Sequence, residues 1–359
     1  LKTQSDVFDG IESSHFFVAN AGSCRYTLLT VKTPIKVGLL VSGALALASF
    51  AMSVSLVREL LRSDTINEAP GKISHHVSLY IPGNRSDYFD DLVAGARRAA
   101  RAGSIALSVH RIDDGGKNLA LAMYAGTDGI IVCPTSDDAV TNKCLFRLSD
   151  GKIPVVLANH NVSADKPWPF VGTNNFDFGK RAGAIVRQQY PAGVRLAVVY
   201  SDKSPAIYAE RELVEMGLSA SLGDGLKGAI SGLKTDMNPR DAEKAIYRLV
   251  REAPDINVIV FTDSDDTIAG TQALIELNMV GRVGIVGTGD SKEILDYIGK
   301  GIINGSLVIH PDAIGAQAVK SVAELISSGY TSQSVDTGID VISSETLARY
   351  LYSGEKKER

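Results

Sequence analysis

The chain is poor in the residues and motifs that most chemistry needs. Its three cysteines, Cys24, Cys133 and Cys144, are too few for a disulfide framework. Cys133 closes the apolar run IIVC and Cys144 falls in an expected helix, so both read as buried free thiols. CxxC, HExxH, GxSxG and the P-loop are all missing, which removes the usual signatures of redox, metal, nucleophile and phosphate sites. The segment GTGDS (287–291) lacks the third glycine of GxGxxG and follows a late strand, so it does not mark a dinucleotide site. Aromatics are 6% of the chain, with one Trp, and the net charge is −4, so no basic field favours nucleic acid. No catalysis, no cofactor and no resident metal is expected. His75 and His76, at a strand start, read as exposed side chains rather than metal ligands.

What the chain does have is an uncharged run of 21 residues, 37–57, VGLLVSGALALASFAMSVSLV. At about 1.5 Å rise per residue a helix of that length crosses a bilayer core. Lys32 and Lys36 precede it, and Arg58 and Arg62 follow. The expected orientation places the following domain outside, at the extracytoplasmic face of the cell envelope. The run reads as a signal anchor or a cleaved signal peptide. Residues 1–36 form a leader and 58–74 a polar stalk. The chain opens with Leu, and VKTPIK (31–36) makes a basic start if Val31 is read as Met. Residues 1–30 are then either translation upstream of the natural start or a short cytoplasmic tail.

Beyond the stalk, strand and helix patterns alternate. Short β-branched runs without polar alternation fall at 77–81, 105–109, 129–133, 154–158, 195–200, 227–231, 257–261, 283–287 and 306–310. Such runs suit strands buried on both faces of parallel sheets. Helices are expected over 87–102 and 175–189, with another opening near 136–138. Ligands of such sheets bind at the carboxyl ends of the strands. Those ends fall at 82–89, 134–138, 159–161, 201–205, 262–266, 288–291 and 309–312. Within them, Tyr88 and Phe89 are either core aromatics or a platform for the apolar face of a sugar ring. Asp263, Asp265 and Asp266 offer carboxylates, and helix N-capping accounts for one of them. Trp168, in KPWPF, is either a rim contact or a loop anchor.

Seven segments, in this order and spacing, carry a resemblance: SLYIPGNRSDYFDDLVAGARRAA, DGIIVCPTSDDAV, IPVVLANHN, FVGTNNFDFGKRAGAIV, VIVFTDSDDTIAG, VGIVGTGDS and VIHPDAIGAQAVK. From His75 to about Leu351 the chain resembles the type I periplasmic binding proteins, in the ribose-binding-like, sugar-binding branch. The resemblance implies an α/β fold of two doubly wound parallel-sheet lobes joined by a three-crossing hinge. The crossings are expected near 172–174, 309–312 and 336–340. Lobe 1 then spans 75–173 plus 311–338, and lobe 2 spans 174–310 plus 339–352. It implies a small-molecule ligand, a sugar or similar polar solute, held between the lobes. The implied partner is an ABC permease or, alternatively, a membrane sensor kinase.

The resemblance also carries over a set of ligand positions. Ser86 falls at a polar contact, and Tyr88 and Phe89 at the stacking aromatics. Asn159 and His160 replace the Asp-Arg pair that grips sugar hydroxyls in the ribose binders. Met237 falls at a further aromatic contact and Ser264 at an Asn contact, with Asp265 beside it. Gly289 stands where an Asp is expected, and Asp290 follows it. Ile309 stands where a Gln is expected, with His310 next. Arg211 is the nearest candidate for a ligand-binding Arg. A buried hydroxyl that loses its partner costs roughly 1–3 kcal/mol, so these replacements imply a specificity other than ribose.

Overall fold

The computed structural model describes residues 49–54, 74–83, 86–113, 116–134, 138–162, 167–202, 207, 210–236, 238 and 240–357. The chain divides into two units, Leu1–Ala69 and Pro70–Arg359. In the first, residues 49–54 are helical and exposed. The rest of the apolar run 37–57, the leader and nearly all of the stalk lie outside the described residues. Among the described residues, no helix is long and apolar enough to cross a membrane.

The second unit holds the alternating pattern. Its first half runs β1 (His75–Ile81), α1 (Asp87–Ala102), β2 (Ile105–Arg111), α2 (Lys117–Ala120), β3 (Gly129–Val132), α3 (Asp138–Asp150), β4 (Val155–Asn159) and β5 (Phe170–Gly172). There follow α4 (Asn175–Gln189), β6 (Leu196–Ser201), α5 (Arg211–Leu222), β7 (Ser231–Thr235), α6 (Arg240–Glu252), β8 (Val258–Phe261), α7 (Ser264–Glu276), β9 (Gly284–Thr288), α8 (Lys292–Gly299) and β10 (Gly305–Ile309). The chain closes with α9 (Pro311–Ser328), β11 (Ser334–Asp336), β12 (Ile339–Ser343) and α10 (Leu347–Lys357).

Two six-stranded sheets result, ordered β11-β5-β4-β3-β1-β2 and β12-β10-β9-β8-β6-β7. Every pair is parallel except β10 with β12. The central strands β3, β4, β6, β8 and β9 are buried along their whole length. Each sheet therefore has an apolar core on both faces, one around Leu79, Phe89 and Val322 and another around Ile130 and Leu145 in the first lobe. In the second lobe the corresponding cores surround Val198 and Leu218, and Ile259 and Phe261. Both free thiols, Cys133 and Cys144, are buried in the first lobe.

The strand expected at 227–231 lies instead at Ser231–Thr235. Gly228 takes φ +84°, which breaks an extended run there. The true strand is an edge whose first four residues alternate between half-buried and exposed before the buried Thr235, so its apolar content is low. A search for apolar runs picks the neighbouring KGAIS instead.

The chain passes between the sheets three times: from β5 to α4, from β10 to α9, and from β11 to β12. These crossings are tied together. The Thr337 amide donates to the Gly172 carbonyl at 3.0 Å. His310 Nε2 and Asp340 Oδ2 lie 2.9 Å apart. Helix α9, which leaves the second crossing, packs on α1 with the backbones in contact. A Cβ on Gly95 would stand 1.9 Å from the Asp312 carbonyl oxygen, and one on Gly315 would stand 1.9 Å from that of Leu92. The second lobe repeats the device with Gly179 and Gly217 between α4 and α5. No rotamer relieves a backbone clash. Gly315→Val is therefore expected to destabilise the protein by about 3 kcal/mol, the upper end for overpacking, and urea unfolding of the variant checks it.

Candidate binding cleft

The carboxyl ends of the two sheets face a single cleft of about 450 Å³. From the first lobe it is lined by Ser86, Asp87, Tyr88, Asp91, Asn159 and Thr173, and the second lobe presents Thr262–Asp265 and Thr288–Ser291. Ile309 and Pro311 close it at the second crossing. Four of the carboxyl-end loops read from the sequence meet there in strength: 82–89, 262–266, 288–291 and 309–312. Asn159 represents a fifth.

Local backbone chemistry sets each group. Ser86 caps α1, its hydroxyl accepting from the Phe89 amide, and so starts the helix at the cleft wall. Tyr88 then faces Asn159, and its hydroxyl donates to Asn159 Oδ1 at 2.6 Å. Burial, and after it Cys133, pushes the Tyr88 phenol above the usual tyrosine range, so it stays protonated and donates. Asn159 takes φ +71°, a conformation Asn tolerates better than most side chains. The His160 amide turns back to the Ala158 carbonyl at 2.9 Å. Asn159 is 5% exposed, and its Nδ2 has no partner. Thr173 is 7% exposed, and its Oγ1 likewise has none.

On the opposite wall Asp263 caps α7, accepting from the amides of Asp265 and Asp266 at 3.0 and 3.1 Å. Asp266 is fully buried and accepts from Thr235 Oγ1. Of the three carboxylates, capping takes Asp263 and the core takes Asp266. Asp265 lines the cleft, as does Ser264. Gly289 takes φ +99°, and a Cβ there would stand 2.8 Å from Ser264 Oγ. No side chain fits that position without strain, and the carboxylate comes from Asp290, which accepts from the Tyr350 hydroxyl at 2.6 Å.

Several expected contacts are placed elsewhere. Phe89 is fully buried in the first-lobe core, edge-on to Tyr88 at 5.4 Å between ring centres. It sits one residue past Tyr88, about 100° around the helix, and so points inward. Only Tyr88 of the two aromatics reaches the cleft. His160 is buried against the second lobe, Nδ1 3.6 Å from Glu210 Oε1, because the turn at Asn159 directs the next side chain away. Glu210 also receives the Asn175 amide at 2.9 Å. Arg211 begins α5 with its side chain half exposed, 3.7 Å from Glu212, and is not among the described cleft residues. His310 braces the hinge through Asp340 rather than lining the cleft. Trp168 is a loop anchor packed on the first-lobe core. Met237 lies outside the described residues.

Asp91, Thr173, Asn175, Thr262 and Thr288 line the cleft without having been singled out from the sequence. Asp91 had a readable signal: it stands four residues after Asp87, on the same helix face. Thr262 and Thr288 end buried strands, and their hydroxyls donate to the carbonyls of Val199 (3.1 Å) and Phe261 (2.8 Å), so they serve the sheet as well as the wall.

A family model for the periplasmic binding protein domain matches residues 77–330, and the chain belongs to that family. No curated protein sequence matches it. Among solved structures it is similar to GanP, a glucose-galactose binding protein from Geobacillus stearothermophilus. The two share 24% identity over 77% of this chain and 99% of that one, with a TM-score of 0.66. A Caulobacter myo-inositol binding protein, bound to myo-inositol, matches at 20% identity over 80% and 100%, with a TM-score of 0.69. An ABC transporter periplasmic solute binding protein from Actinobacillus succinogenes with bound D-allose matches at 17% over 77% and 100%, with a TM-score of 0.64. These likenesses establish the fold, two parallel-sheet lobes of the type I periplasmic binding class.

Proposed function

We propose that the chain is an extracytoplasmic solute-binding protein that captures a sugar or similar small polar ligand between its lobes and delivers it, unchanged, to an ABC permease. The observation that carries this reading is the buried, unspent donor of Asn159 on the wall of a cleft floored by strand ends, beside the Tyr88 ring. A buried polar group without a partner costs about 1–3 kcal/mol, and a ligand oxygen over Asn159 removes that cost. Lobe 1 comprises 75–173 plus 311–338, and lobe 2 comprises 174–310 plus 339–352. Ser86, Tyr88 and Asn159 contact the ligand from the first, and Ser264, Asp265 and Asp290 from the second. The uncharged run 37–57 serves as signal or anchor. The neighbours that bind glucose or galactose, allose and myo-inositol support a ring of hydroxyls as ligand.

A thermal-shift screen of the purified protein against monosaccharides, cyclitols and their amino derivatives tests the reading. A ligand at 100 times its Kd stabilises by about 2.7 kcal/mol, which shifts the melting temperature by several degrees. No shift with any of them sinks it.

A further inference from the structure

One carboxylate of the second lobe reaches across to the turn that presents Asn159. Glu210 immediately precedes α5, and its carbonyl accepts the first bonds of that helix, from the amides of Leu213 at 2.9 Å and Val214 at 3.4 Å. A side-chain oxygen at such a position ordinarily caps its own helix. The Glu210 carboxylate makes no capping bond and turns to the hinge and the first lobe instead. Oε1 accepts from the backbone amide of Asn161 at 3.3 Å and lies 3.6 Å from His160 Nδ1. Oε2 accepts from the Asn175 side-chain amide at 2.9 Å. The Glu210 side chain is 18% exposed and that of His160 3%, so the contact is largely withdrawn from water.

These contacts lie directly behind the cleft wall. Strand β4 ends at Asn159, where the φ of +71° and the bond from the His160 amide to the Ala158 carbonyl reverse the chain. Asn159 lines the cleft with its buried, unpartnered Nδ2, and the next two residues meet Glu210. The turn is thus held from both lobes: Tyr88 donates to Asn159 Oδ1 at 2.6 Å, and Glu210 takes the Asn161 amide. Asn175, which Glu210 also holds, lines the same cleft. Neither Glu210 nor the 159–161 turn belongs to a crossing, so a rotation of one lobe against the other changes their separation.

Resting on the solute-binding reading above, we infer that Glu210 is a positioning residue for the ligand. When the lobes come together it grips the 159–161 turn from the second lobe and fixes the Asn159 amide against the ligand. A ligand meets Asn159 in the open cleft and is held better once Glu210 is seated, which is a contact difference that favours closure. Release requires reopening, so the effect falls on dissociation rather than association. The two donors sit on different oxygens. Gln at this position keeps the shape but turns an amide N–H toward one of them.

Glu210→Gln and Glu210→Ala in the purified protein test this, with Glu212→Gln, whose side chain is 77% exposed on the same helix, as the control. Without any sugar, hydrogen exchange at the Asn161 amide is expected to quicken about fivefold or more in both Glu210 variants and to stay unchanged in the control. Stopped-flow mixing with D-glucose, D-galactose, D-allose and myo-inositol reads the rate constants. For those that bind, dissociation is expected to quicken about tenfold in the Glu210 variants while association changes by less than about threefold. Unchanged exchange or unchanged dissociation would overturn the inference and leave the solute reading standing. So would an affinity lost through slower association together with a lowered urea midpoint, the mark of a residue that serves only the fold. Wild-type protein that binds none of the screened compounds would overturn both.

Discussion

Phe89→Ala is expected to destabilise the first lobe by about 3–5 kcal/mol, and Tyr88→Ala to leave the fold standing while cutting ligand affinity at least about tenfold. The two aromatics are adjacent in sequence and differ completely in surroundings. Phe89 is fully buried among Val77, Leu92, Ile314 and Val319, so its removal opens a cavity in a close-packed core. Tyr88 stands half-buried at the cleft with its hydroxyl on Asn159. On the proposed function its ring covers one face of the ligand, and its hydroxyl holds the amide that meets a ligand oxygen. Tyr88→Phe separates the two roles: it keeps the ring and frees Asn159 Oδ1, so its loss of affinity should fall between wild type and Tyr88→Ala. Urea unfolding and titration calorimetry on the same three variants check the contrast. A Phe89→Ala protein of wild-type stability that fails to bind would reverse the assignment.

The strands of the sheet interior could be read directly because a strand buried on both faces is apolar along most of its length, with polar residues only toward its carboxyl end. VVLAN, LAVVYS and VIVF are such runs, and each is a central strand. The short and the half-exposed strands were harder. SGLKT carries a lysine and a glycine because one face meets water, and β5 and β11 have three residues each, too few for any periodicity. At the cleft, five of the seven strand-end loops read from the sequence contribute lining residues, as the rule that ligands sit at strand carboxyl ends leads one to expect. Which side chain of a pair turns inward was not legible. Tyr88 and Phe89 are split by the 100° step of a helix. Asn159 and His160 are split by a positive φ that no residue type requires. His310 stands beside the cleft residue Ile309, yet its partner Asp340 lies 30 positions away on the strand after the third crossing. Such pairings depend on tertiary geometry rather than on local pattern. The departure at Gly289 has a local cause: its positive φ and the nearness of Ser264 make any side chain there strained, and the acid stands at the next position.

Saturating ligand is expected to compact the two-lobed unit, and Asp265→Ala to weaken both the binding and the compaction. The lobes are joined by three crossings that are fastened to one another through Thr337 with Gly172 and His310 with Asp340. On the proposed function, closure is a rotation of one lobe against the other about these fastened crossings. A ligand shifts that equilibrium only through contacts it makes better in the closed form. First-lobe groups such as Tyr88 and Asn159 are available with the cleft open, so the bias must come from the second lobe. Moving the population from 1:99 to 99:1 takes about 5.5 kcal/mol. One hydrogen bond contributes only about 1 kcal/mol, or about 1.5–3 when a charge takes part. Several second-lobe contacts must therefore act together, and on the proposed function Ser264, Asp265 and Asp290, which line the cleft, make them. Loss of one carboxylate should lower affinity about tenfold and leave part of the population open at ligand concentrations that close the wild type. Small-angle scattering of Pro70–Arg359, with and without a ligand confirmed by calorimetry, reads the radius of gyration directly. An unchanged radius at saturation in the wild-type protein would mean that the ligand binds without bringing the lobes together.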